Sequence, residues 1–226
     1  MKPLSSQSED ENCLEDIGRA SLQIVHDLKN QLNGLKLYAT FLRKRFEKGE
    51  HSTDEVETVN KLISGVDRAA QDLNLLSEYG KPLTLHKQTS VELQKILNAA
   101  TTELHSIAQP GDGVFVEGET GQLLAEVDAL QITEALKSIS QGAAKILKSR
   151  KKEGPLRIQV TSERNGASHD AIIDWHTADA FDHDPFRSFA GTTEIRMALA
   201  AKVIAAHGGS AEKMNGALRV RLPLIN

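Results

Sequence analysis

The sequence predicts an α+β protein: an antiparallel helical hairpin dimerising as a four-helix bundle, followed by an α/β sandwich. Three observations carry this. Apolar residues from Leu14 to Leu73 recur at a three-four spacing, the seam of a helix bundle. The tetrapeptide "YGKP" at 79–82 punctuates the chain, and nothing periodic crosses it. Beyond it, helical patterns and short extended runs follow one another in the order of a largely antiparallel sheet with helices on one face. The expected domains are a disordered tail over 1–12, the hairpin over 13–80 and the sandwich over 81–226.

In the first helix, Leu14, Ile17, Ser21, Ile24, Leu28, Gln31, Leu35, Tyr38 and Leu42 form the seam, and Val25, Leu32, Ala39 and Phe46 widen it. "EKGEHSTDE" supplies a stop at Gly49 and N-cap candidates Ser52, Thr53 and Asp54 for the second helix. There, Val56, Val59, Ile63, Val66, Ala70 and Leu73 repeat the alternation. A lone hairpin cannot bury both apolar faces, so a homodimeric bundle is expected. After the boundary, "LTLHKQ" reads as an extended segment and "SVELQKILNAATTELHSIA" as a helix capped by Ser90. "GVFVEGE" and "LLAEVD" read as a hairpin, and "DALQITEALKSISQGAAKILKSRKK" as a helix. "LRIQVTSERNGASHDAIIDWH" gives two strands around an Asn-Gly turn. A helix over "TTEIRMALAAKVIAAHGG" and a strand over "ALRVRLPLI" complete the chain.

Of 226 residues, 39% are hydrophobic, 26% charged and 4% aromatic, with a net charge of −4. This is a globular composition, and neither an aromatic nucleic-acid platform nor a general polyanion-binding surface is implied. Cys13 is the single cysteine, so no internal disulfide forms and a reducing compartment fits. No run approaches the roughly 20 apolar residues that span a bilayer. A cytoplasmic protein with no nucleic-acid or membrane partner is expected. The histidines other than His26 lack metal-ligand spacing, so no metal site is expected.

His26 lies between Ile24 and Leu28 of the seam, rotated about 200° from each two-residue neighbour on the helix, and so is expected to face away from the core. Periodicity leaves two readings, an ordinary exposed polar residue or a reactive imidazole. Asn30 is one turn on and faces the same way. Asp27 is adjacent and could fix the imidazole tautomer, freeing the other nitrogen as a nucleophile.

"HDLKNQLNG" resembles the H-box of two-component histidine kinases, with Gln31 where that pattern has proline. The resemblance implies that His26 is the phosphoacceptor, Asp27 its acid–base partner and Asn30 an orienting group. Lys29, Gln31, Gly34 and Leu35 would form a docking face for a receiver domain. Gly34 reads either as a tolerated helix glycine or as room for a partner's close approach.

The resemblance extends along the chain to "IAAHGGSAEKMNGALRVRLPL", and it implies an ATPase-like sandwich whose nucleotide site is degenerate. Aligned on Asp128 and Lys145, the family's two box asparagines become Ser138 and Gly142, and Gly142 offers no oxygen to Mg²⁺. "IDWHTADAF" puts Trp175 or Asp174 where the family has the acid for adenine, depending on a one-residue choice of register. Thr192, Glu194 and Arg196 stand where it has phosphate-approaching glycines. A carboxylate such as Glu194 about 4 Å from a phosphate oxygen costs roughly 4 kcal/mol at an effective dielectric of 20; its other reading is a residue favoured by the helix dipole.

The pattern resembles the sporulation and cell-cycle histidine phosphotransferases. It implies phosphoryl shuttling between response-regulator aspartates through His26 without ATP. No cofactor is then expected on this chain, Mg²⁺ arriving with the partner receiver domain. An active kinase with an atypical nucleotide site and a non-catalytic scaffold that binds regulators are the competing expectations.

Overall fold

The computed structural model describes residues 25, 28–44, 46, 49, 53–107, 114–118, 123–149, 155–166, 168–177 and 182–225, excluding the side chains of 103–107. The chain separates into two units, Met1–Lys81 and Pro82–Asn226. The tail over 1–12 lies outside the described residues.

The first unit holds helix α1 (28–44) and helix α2 (Thr53–Gly80). Asp54 and Glu55 sit in the first turn of α2, where the helix dipole favours negative charge. An ion pair, Lys36 Nζ to Asp67 Oδ1 at 2.6 Å, ties α1 to α2. Among the described residues, no helix is long and apolar enough to cross a membrane.

The second unit is α+β, with strands β1 (Gln88–Glu92), β2 (Val114–Gly118), β3 (Leu124–Val127), β4 (Leu156–Asn165), β5 (Ser168–His176), β6 (Ser210–Met214) and β7 (Ala217–Pro223). Its helices are α3 (Leu93–Ile107), α4 (Ala129–Ser149) and α5 (Thr192–Ala206), with a 3₁₀ turn at Pro185–Arg187. Strands β2-β4-β5-β7-β6 make a five-stranded sheet in which β2 and β4 are parallel and the other neighbours antiparallel.

The period of two along the long strands sets one apolar and one polar face. Ile158 and Val160, Ile173 and Trp175, and Leu218 and Val220 are buried in the core with Leu97 of α3, Ile132, Leu136 and Ile139 of α4, and Met197 and Ile204 of α5. Each such side chain contributes about 1.5–3 kcal/mol by leaving water. The alternate positions carry charge: Asp174 of β5 accepts two hydrogen bonds of 2.8 Å from the Arg219 guanidinium of β7.

The Asn-Gly turn joins β4 to β5, with Gly166 at φ +60°, the left-handed conformation that this turn requires. Two local expectations fail. The runs at 114–118 and 124–127 do not pair as a hairpin: β2 runs parallel to β4, and β3 pairs antiparallel with β1 in a separate two-stranded sheet. Ser90 does not cap a helix; it lies in β1, and α3 starts at Leu93, whose N–H donates to the Leu123 carbonyl. Strand β6 was missed although its turn to β7 carries the same Asn-Gly signal, at Asn215–Gly216.

Candidate functional site

In the first unit, His26 and Asp27 lie outside the described residues. Asn30 and Gln31 of α1 are exposed, and Lys29 and Gly34 are half-buried. A Cβ on Gly34 would meet nothing within 4 Å. The expected seam is open: Leu35 is 53% and Tyr38 68% exposed, and Leu28 and Leu42 are exposed too. The stripe one position over is the more enclosed, with Ala39 3% exposed and Val25, Leu32 and Phe46 half-buried. Thus α1 presents a row of large apolar side chains to solvent.

In the second unit a cavity of about 420 Å³ lies between α4 and the start of α5. Glu134, Lys137, Ser138, Gln141 and Lys145 reach it from α4, following helical spacing along one stripe. Gly142 is on the same stripe, and Thr192, Thr193 and Arg196 close the cavity from α5. Lys145 Nζ donates to Thr193 Oγ1 at 2.8 Å and so bridges the helices.

Gly142 explains how closely these helices approach. A Cβ there would stand 2.6 Å from the Met197 Sδ and 3.4 Å from the Thr193 Cγ2. Ser138, Gly142, Thr192 and Arg196 therefore line one cavity. Glu194 does not join them; its Oε2 is 3.5 Å from where a Gly191 Cβ would be, beside the helix N-cap. That position favours a carboxylate through the helix dipole.

Trp175 is fully buried on the helix side, and Asp174 points to the opposite face and its Arg219 partner. The Trp175 indole N–H donates to Ser140 Oγ at 2.8 Å, and the Ser140 hydroxyl donates to the Leu136 carbonyl at 2.8 Å.

Behind the cavity, α4 and α5 are clasped at their far ends. The Asp128 N–H donates to His207 Nε2 at 3.0 Å. Nδ1 therefore carries the proton, which it donates to the Val203 carbonyl at 2.8 Å. The Asp128 carboxylate accepts from the His86 N–H and, at the start of α4, from the Gln131 N–H. The His86 N–H foremost, then the Gln131 N–H, hold the carboxyl below its ordinary range against the opposing effect of desolvation. Next to His207, Gly208 at φ +80° closes α5: its N–H donates to the Ala205 carbonyl and the Gly209 N–H to that of Ile204.

Sequence reasoning missed Lys137, Ser140 and Met197. The polar stripe at i, i+3, i+7 from Glu134 was a usable signal for Lys137 and Gln141. Nothing local announces that Met197 meets Gly142, because 55 residues separate them and the contact exists only once the two helices pack. Among the described residues no group of three or more His, Cys, Asp or Glu could hold a metal ion.

No protein-family model and no curated protein matches the sequence. Solved structures do. ShkA, solved full-length in complex with AMPPNP, is similar over 92% of this chain and 46% of its own, with a TM-score of 0.59 and 15% identity. AdeS, a histidine kinase of Acinetobacter baumannii, is similar over 84% of this chain and 96% of its own, with a TM-score of 0.53 and 13% identity. The chain thus has a histidine kinase-like fold. It spans less than half the length of ShkA.

Proposed function

We propose that the chain is a two-component signalling protein, a dimeric histidine phosphotransferase that passes phosphoryl groups between response-regulator aspartates through His26 without using ATP. The histidine kinase-like fold and the H-box pattern around His26 support the signalling class. The observation that carries the ATP-independent part is the contact of Gly142 with Met197. Mg²⁺ needs oxygen ligands in near-octahedral order. At Gly142 no oxygen is offered, and the space for a side chain is taken by a thioether. The cavity lining supplies no aliphatic or aromatic side chain against which a base would pack. Mg²⁺–ATP therefore fits these residues poorly, and no step is routed through it.

The transfer is a displacement at phosphorus. The neutral His26 imidazole attacks the aspartyl phosphate of one receiver, the P–O bond breaks and the aspartate leaves as a carboxylate; the second transfer reverses this onto another aspartate. Asp27 fixes the imidazole tautomer and Asn30 orients the phosphoryl group. Gln31, Gly34, Leu35 and Lys29 meet the receiver, which brings its own Mg²⁺. Because the work is positioning, rate comes from holding donor and acceptor in line. The exposed row from Leu28 to Leu42 supports pairing of two hairpins into a four-helix bundle.

The test is incubation of the pure protein with phosphorylated receivers. Acid-labile phosphate is expected on the parent and none on His26→Gln. Labelling from ATP alone would indicate a kinase instead. A His26→Ala chain that still signals in cells would indicate a scaffold.

A further inference from the structure

The face of the five-stranded sheet opposite α3, α4 and α5 holds a second cavity, of about 420 Å³. Strand register explains its place. On this face His176 of β5 stands opposite Ala217 of β7, and Ala217 stands opposite Met214 of β6. The next row holds Asp174 and Arg219. Side chains stand roughly perpendicular to a sheet, and Ala217 sends up only a methyl group between two larger neighbours. The result is a pit with Ala217 as its floor, an imidazole and a thioether as walls, and the Asp174–Arg219 pair across one end. Lys213 and Asn215, at the turn into β7, complete the lining.

The floor and walls suit a flat apolar body. Met214 is 39% exposed, so a ring laid against it and Ala217 removes apolar surface from water. From β5 to β6 is two strand spacings, about 10 Å. The imidazole and the thioether occupy part of that width, which suits a ring better than a branched chain. A thioether also favours contact with an aromatic ring. The charged groups select an anion. Arg219 is pinned by two hydrogen bonds to Asp174, which leaves the other N–H groups of its guanidinium held in fixed directions. Lys213 has no hydrogen-bond or ion-pair partner among the described residues. Asp174 is offset by Arg219, and Glu212, across from Arg219 on β6, is exposed and outside the lining. One carboxylate therefore answers the ammonium left over.

We propose that this cavity binds a small aromatic carboxylate, its ring over Ala217 between His176 and Met214 and its carboxylate on Lys213 and Arg219. The site lies across the sheet from the cavity between α4 and α5. The inference does not depend on His26 or on phosphoryl transfer.

Calorimetric titration of the full chain with indole-3-acetate tests it. Indole-3-acetamide serves as the neutral counterpart and acetate as the carboxylate without a ring. Indole-3-acetate is expected to bind at one site per chain, about tenfold more tightly than the amide, the scale of one charge-assisted contact. Acetate should give no heat at the same concentrations. Lys213→Gln should weaken indole-3-acetate about tenfold and leave the amide unchanged. Ala217→Leu, which fills the floor, should abolish binding of both. Lys95→Gln, an exposed cation on α3, should change nothing. Thermal unfolding checks that each variant is folded, and Lys213, half-buried beside a turn, keeps the test decisive should Ala217→Leu fail to fold. Absence of indole-3-acetate binding at millimolar concentration would overturn the proposal. So would equal affinity for acid and amide, or an unchanged affinity in Lys213→Gln. Equal weakening by Lys95→Gln would overturn it as non-specific attraction, and binding retained by a folded Ala217→Leu chain would place the ligand elsewhere.

Discussion

A methyl group added at Gly142 would be driven against Met197, with a separation of 2.6 Å to Sδ. Alanine in a helix interior is about 1 kcal/mol better than glycine by propensity, but overpacking a filled contact costs about 1–3 kcal/mol. The thioether is flexible, and the two effects set against each other leave an expected loss of about 0–2 kcal/mol for Gly142→Ala. It would be read as a lower urea midpoint with an unchanged slope. A variant more stable than the parent would mean that the helices are not pressed together there. The same contact bears on chemistry: an asparagine placed at Gly142 would present a side-chain oxygen to the cavity only if Met197 first moved away. Trp175 is a second residue with two meanings. Its indole fills the core and satisfies Ser140, a role that the motif comparison, concerned with a missing acid, did not suggest.

Helix α4 is held at its start by a carboxylate. The Asp128 carboxyl is depressed in the folded protein by the N–H donors of His86 and Gln131. For such a group the stabilisation is present above the unfolded-state value, near 3.9, and is lost as pH falls through the lower folded value. Asp128→Asn removes that dependence. The melting-temperature gap between parent and Asp128→Asn is therefore expected to shrink as pH falls below about 4. A constant gap would show that the charge of Asp128 contributes nothing to the clasp. Element-level reading of the sequence succeeded where the pattern was long. The period of two in β4, β5 and β7, the 3.6 period of α2 and α4, and the Asn165–Gly166 turn were all legible. It failed for β2 and β3, two short apolar runs close in sequence that look like a hairpin. Each takes a partner further away, β4 or β1, and short strands contain no local record of that choice.

At the scale of the molecule, the row of Leu28, Leu35, Tyr38 and Leu42 left open on α1 is the feature that most needs a partner. If two hairpins pair through it, Leu35→Glu is expected to cost about 3 kcal/mol of dimerisation, about a hundredfold in dissociation constant. Light scattering behind size exclusion would detect the shift from dimer to monomer. In a chain that never pairs, the same change at an exposed position would leave mass and stability nearly untouched. The parent eluting as a monomer at tens of micromolar would sink the four-helix bundle and, with it, the geometry proposed for transfer.

The sequence by itself determined the class of each long element, the break near residue 81 and the residue types gathered on each helix face. These depend on periodicity and on glycine and proline chemistry, which act over a few neighbours. Tertiary structure alone decided that Trp175 rather than Asp174 faces the helices, because the phase of a strand is fixed by the layer packed on it. It also decided that Glu194 turns to its own helix end, and that Gly142 is closed off by a methionine from another helix. Those outcomes require two distant segments to share one space, and excluded volume between them is written in neither segment alone.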